Sequence, residues 1–138
     1  MRKRTVAREF ALQILYQLDI TRDTAEAALE NFWSAHSTEK IDGELKEFAS
    51  KLVKGTVLYL DEIDKKISQY AANWQLERMA VVDRNIMRMG CFEIIYCDDI
   101  PPKVSINEAV DLAKKFSGIE AGKFVNAILD KVKIEKEK

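Results

Sequence analysis

Four basic side chains crowd the start of the chain: Arg2, Lys3, Arg4 and Arg8, with no acid among residues 1–8. They give this tip a formal charge of +4, while the other 130 residues carry 18 basic and 23 acidic side chains, or −5. Arginines held in a fixed direction can pair with phosphate through two parallel hydrogen bonds and can stack on unpaired bases. A short basic cluster taken alone is more simply a solubility tail. Arg4 and Arg8 differ from a tail in lying four residues apart on a segment with helical spacing. The aromatic candidates for base stacking are Phe116 and Phe124, although both also fit the apolar stripes of their own segments, and spacing alone favours the core for each.

Other chemistry finds little support. His36 is the single histidine and has no cysteine at ligand spacing, which excludes a zinc site built on it. Cys91 and Cys97 sit in an apolar stretch without a CxxC pattern and read as small buried hydrophobes. The five glycines are scattered and form no phosphate loop. G-x-S-x-G does not occur. Glu77, Asp83 and Glu93 cluster loosely, and exposed helix acids are more often solvated or partner-facing charges than acid–base pairs. The expectation is a binding protein with no catalytic residues, metal or cofactor.

The elements that must position the basic tip read as helices throughout. In the first, Val6, Phe10 and Ile14 form one row and Ala7, Ala11, Leu15 and Leu18 the next, which puts Arg4 and Arg8 on a shared turn outside the stripe. Asp23 and Glu26 have the form of a capping box ahead of a second helix through Ala25, Ala28, Leu29, Phe32 and Trp33. A long third helix is predicted from about Glu44 to Tyr70, with Gly55 inside it. Trp74 falls in the break that follows, and Leu76–Met79 supplies one further turn.

Residues 82–96 are apolar nearly all round, as a central helix is, and Asp98, Asp99 and Pro101–Pro102 stop it. Ser105-Ile106-Asn107-Glu108 has the S-x-x-E form of a capping box for the next helix, and Gly118 is placed to end it. The last helix carries Ala121, Phe124, Val125, Ile128, Leu129 and Val132, with a charged tail from Glu135 expected to fray. The prediction is an all-α fold of six or seven helices. At 47% hydrophobic and 33% charged, the composition supports a packed core and excludes disorder. A net charge of −1 and pI near 5.9 argue against a protein that grips nucleic acid over its whole surface. No run approaches the roughly 18 apolar residues of a membrane span, and Glu9, Gln13 and Gln17 break any signal-peptide pattern. A cytoplasmic protein is expected.

Four segments then carry a resemblance. R-K-R-T-V-A-R-E-F-A-L-Q-I-L-Y (2–16), V-V-D-R-N-I-M-R-M-G-C-F-E-I (81–94), I-P-P-K-V-S-I-N-E-A-V-D-L-A-K-K-F (100–116) and G-K-F-V-N-A-I-L-D-K (122–131) together resemble the bacterial NusB transcription antitermination factors, in the same order and with similar spacing. The resemblance implies one domain over residues 1–138 made of two small helical bundles, about 1–72 and 73–134. It implies binding of the boxA element of ribosomal-RNA leader transcripts, a short single-stranded RNA, together with the ribosomal protein NusE, in an antitermination complex with RNA polymerase. Carried over by position, the RNA side is Arg2, Lys3, Arg4, Arg8, Phe116, Glu120, Lys123 and Phe124, and the NusE side is Tyr16, Glu77 and Asp83. Thr5 and Val6 interrupt an arginine run that is denser in many members, which gives assistance by NusE more weight. Dimers that cover the basic surface are known in the family, so a homodimer is a further expected partner. The rival readings are the non-catalytic RNA-binding domain of a ribosomal-RNA cytosine methyltransferase, and a self-associating scaffold.

Overall fold

The computed structural model describes residues 2–138. Seven α-helices follow in order: α1 (Lys3–Thr21), α2 (Ala25–Ala35), α3 (Gly43–Leu58), α4 (Leu60–Tyr70), α5 (Val81–Tyr96), α6 (Pro102–Phe116) and α7 (Ile119–Glu137), with one 3-10 turn at Leu76–Arg78 between α4 and α5. No strand occurs among the described residues, so the all-α expectation is met. The chain divides into two compact units, Met1–Leu58 and Tyr59–Lys138.

That division falls earlier in the chain than the boundary near 72 taken from the resemblance. The helix read as continuous from Glu44 to Tyr70 is two helices, parted at Tyr59. Apolar residues keep helical spacing across the break, from Leu52 and Thr56 to Ile63 and Ile67, and so conceal it. Tyr59 leaves the helical path at φ −103°, ψ 20° and lies flat on Tyr96, ring centres 3.9 Å apart.

In the first unit α1 packs chiefly on α3, with α2 closing the third side. Ala7, Ala11, Ile14 and Leu15 of α1 meet a core that includes Leu29, Phe32, Leu52 and Val53. Thr24, not Asp23, caps α2, its hydroxyl oxygen accepting from the Ala27 amide at 3.1 Å. Asp42 does the same for α3, accepting from the amides of Glu44 (2.8 Å) and Leu45 (3.3 Å).

In the second unit α5 is the central helix, packed on α4, α6 and α7. Ile86, Met87, Met89, Cys91 and Ile94 on it are fully or almost fully buried. Gly90 allows α7 to come close, because a Cβ there would lie 2.7 Å from Leu129 Cδ1. The Ser105 box does not cap a helix: α6 starts earlier, with Pro102 in the first position where a missing N–H costs nothing. Ser105 is instead buried and donates its hydroxyl to the buried Glu93 carboxylate at 2.9 Å, joining α6 to α5. Gly118 ends α6 as expected, its amide reaching back to the Ala113 carbonyl at 3.0 Å with φ at +110°. The tail does not fray at Glu135. Lys66 and Tyr70 of α4 both donate to its carboxylate, and Lys136 donates to Asp98 (2.7 Å) and to the Ile94 carbonyl at the end of α5.

Candidate nucleic-acid interface

The basic tip is built on an aromatic ring that sequence spacing assigns only to the core. Phe48 of α3 is buried, and the Arg4 guanidinium carbon stands 4.4 Å from its ring centre, with that of Arg8 at 5.3 Å. Cations over an aromatic face are attracted by the ring quadrupole, more strongly where water is excluded. Arg8 is 2% exposed. The expectation of Arg4 and Arg8 side by side outside the apolar stripe therefore needs correction: Arg4 is exposed, but Arg8 lies one turn deeper, among Ala7, Ala11 and the Phe48 ring. Its long aliphatic stem makes such burial tolerable. An arginine reads as surface by type, and only the α1–α3 packing reveals otherwise.

Arg2 and Lys3 are exposed. The Lys3 ammonium lies 3.1 Å from Asp42 and 3.7 Å from Glu44. Its hydrogen bond to Asp42, reinforced by the charges of Asp42 and Glu44, raises its pKa above the ordinary lysine value, and that bond with the backbone amide of Glu44 lowers that of Asp42. Tyr16, further along α1, is 40% exposed.

The second unit gathers the remaining candidates differently from the division suggested by sequence. A groove of about 490 Å³ is lined by Trp74, Arg78 and Asp83 on one side and by Glu120 and Phe124 of α7 on the other. Two residues carried over to an RNA side, Glu120 and Phe124, thus share one concavity with Asp83, carried over to a protein side. Phe124 meets Trp74 edge-on at 6.1 Å, and Trp74 is itself 59% exposed. By sequence, Trp74 falls in a break between helices and carries no assigned role. A large aromatic placed outside any apolar stripe is the signal that could have found it. Asp83 Oδ1 is buried and has no hydrogen-bond partner. Lys123 and Glu120 pair across one turn of α7 at 3.3 Å. Phe116 is not core: it is 48% exposed at the end of α6, with the Lys115 ammonium 5.4 Å from its ring centre. Glu77 is exposed on the 3-10 turn, where its carbonyl accepts from Arg84 at 3.4 Å. No group of His, Cys, Asp or Glu able to hold a metal ion occurs among the described residues.

The first unit thus offers the exposed cations Arg2 and Arg4, and the second, taken by itself, offers exposed aromatics with hydrogen-bonding groups. The sequence model of the NusB family matches residues 5–133. The chain belongs to the NusB family. It is 47% identical to the transcription antitermination protein NusB of Myxococcus xanthus over 97% of this chain and 96% of that protein. The corresponding protein of Syntrophus aciditrophicus is 45% identical over 94% of this chain and 79% of its own length. Among solved structures, T. maritima NusB superposes with a TM-score of 0.86 at 35% identity, covering 96% of this chain and 91% of that one. A structure of the antitermination factors NusB and NusE in complex with dsRNA gives a TM-score of 0.86 at 30% identity, covering 98% of both chains. No helix among the described residues is long and apolar enough to cross a membrane.

Proposed function

We propose that this NusB-family chain is a transcription antitermination factor that binds boxA RNA of ribosomal-RNA leader transcripts together with NusE and so joins the RNA polymerase antitermination complex. The observation that carries the reading is the anchoring of Arg4 over Phe48, which turns a basic tail into a directed cation at the start of an ordered helix. The solved NusB–NusE–RNA assembly, similar over nearly the whole chain, supports both partners. Its role is to hold and position RNA without chemistry on it, in the cytoplasm where transcripts are made.

In this reading Arg2, Lys3 and Arg4 neutralise phosphates, with Arg8 setting the direction of α1 from beneath. Phe116 and Phe124 offer stacking faces, and Glu120 and Lys123 flank them. Tyr16, Glu77 and Asp83 form the side for NusE, where acidic groups suit a basic ribosomal protein. If Arg2, Lys3 and Arg4 neutralise three phosphates, RNA affinity falls with salt with a log–log slope of about −2. Titration of single-stranded boxA RNA at several salt concentrations, with and without NusE, tests this. An Arg2→Ala, Arg4→Ala double variant is expected to flatten the slope by roughly 1 while keeping its helix content. An unchanged slope removes the tip from the RNA site.

A further inference from the structure

We propose that Asp42 and Glu44 are a built-in competitor for RNA phosphate at Lys3, so that RNA pairs with this lysine only by displacing them. The proposal rests on the RNA-binding reading above and adds to it the two residues that set how strongly the basic tip binds. Both lie in the same unit as Lys3, where the entry to α3 runs beside the start of α1. The Lys3 ammonium stands 3.1 Å from Asp42 Oδ2 and 3.7 Å from Glu44 Oε2. One cation and two anions leave this spot with a formal charge of −1, within a tip that composition counts as cationic. All three residues are exposed, so a phosphate can approach the ammonium without disturbing the core.

Asp42 is fixed in place independently of Lys3. Its Oδ1 accepts from the amides of Glu44 and Leu45 at the start of α3, which leaves Oδ2 aimed at the ammonium. A phosphate oxygen can take the place of a carboxylate oxygen on the same N–H donors. It cannot simply add beside the acids, because a phosphate drawn to Lys3 is brought against two charges of its own sign. The raised pKa of Lys3 and the lowered pKa of Asp42 reflect the mutual stabilisation that the phosphate has to replace. Exposed ion pairs add little to folding stability, so joining α1 to α3 is a minor role for these acids. At a phosphate-binding surface the same pairing acts directly on affinity.

The test measures binding of labelled single-stranded boxA RNA and of a uridine decamer to the full chain, without NusE, by fluorescence anisotropy. Asp42→Asn keeps a side-chain oxygen for the helix cap and removes the charge, and Glu44→Gln does the same without a change of shape. The double variant is expected to bind both RNAs roughly three- to fivefold more tightly at low salt. The gain should shrink as salt screens the carboxylates. In a Lys3→Met background it should be largely lost, because no ammonium is left to free. Circular dichroism checks that each variant keeps its helix content, and Glu44→Gln alone carries the test should Asp42→Asn not fold. Unchanged affinity in the folded double variant overturns the competition and leaves the RNA reading standing. An equal gain with and without Lys3 also overturns it, since that is general repulsion of RNA by negative charge. So does a gain confined to boxA RNA, because competition for phosphate is blind to the base. Absence of RNA binding by the parent and every variant overturns both readings.

Discussion

Arg4 and Arg8 approach the same ring, Phe48, from successive turns of α1, at 4.4 and 5.3 Å. Only the first is open to solvent. Two arginines of one motif therefore have separable jobs. Arg4→Ala is expected to weaken RNA binding and change thermal stability little. Arg8→Ala should lower stability by about 2 kcal/mol, through the lost desolvated cation–π contact and the lost packing of its stem. Denaturant unfolding beside RNA titration checks the pair; equal stability of the two variants would contradict the burial argument.

At Gly90 two effects oppose. Alanine there gains about 1 kcal/mol of helix propensity. Its Cβ, however, would lie 2.7 Å from Leu129 Cδ1 in a fully buried layer, and overpacking costs about 1–3 kcal/mol. Gly90→Ala is therefore expected to be net destabilising. Because the clash is with one side chain, a Gly90→Ala, Leu129→Val double variant should be less unstable than the two single effects summed. Urea midpoints of the four proteins decide it, and additivity would rule out the clash.

Glu135 contributes a pH dependence whose sign is fixed by its partners. Hydrogen bonds from Lys66 and then Tyr70 lower its pKa below the ordinary glutamate range. A carboxylate depressed in the folded state adds stability above its unfolded pKa and loses it as pH falls through the folded one. Glu135→Gln should lower the melting temperature at neutral pH, and parent and variant should converge as pH falls through the depressed folded-state pKa, on the acid side of the ordinary glutamate range. A constant gap across the acid limb would show that the carboxylate charge is not what matters.

Cys91 is fully buried, and that burial pushes its thiol pKa up to about 12. Cys97 is also buried. The thiolate is the reactive form, so iodoacetamide should label neither cysteine in the native protein at neutral pH and both once it unfolds. Labelling rates measured across a denaturant series should follow the unfolded fraction. Rapid native labelling at either position would be incompatible with the packing of α5.

Periodicity made the helices legible, because each of the seven buries one stripe. Where the structure departs from what local spacing implies, a contact outside the local sequence is the cause. Ser105 and Glu108 have the spacing of a cap, but Glu93 on the preceding helix claims the Ser105 hydroxyl, and Pro102 starts α6 a turn earlier. Tyr59 breaks a continuous apolar stripe because it stacks on Tyr96, 37 positions away. Phe116 fits a core stripe and is nevertheless exposed, because it occupies the last turn of α6. At the candidate site the residue types were legible and their grouping was not. No spacing rule says that Trp74 and Asp83 meet Phe124, since that depends on how α7 lies against the start of α5.

The chain has two tryptophans, and they fall in different units. Trp33 sits edge-on to Phe10 and Phe32 in the first, while Trp74 stands at the groove of the second. Nature has thus given each half its own fluorescent reporter. Trp33→Phe and Trp74→Phe proteins would each emit from one half only. Their unfolding curves, laid over each other, would tell whether the halves melt as a single cooperative body or one after the other.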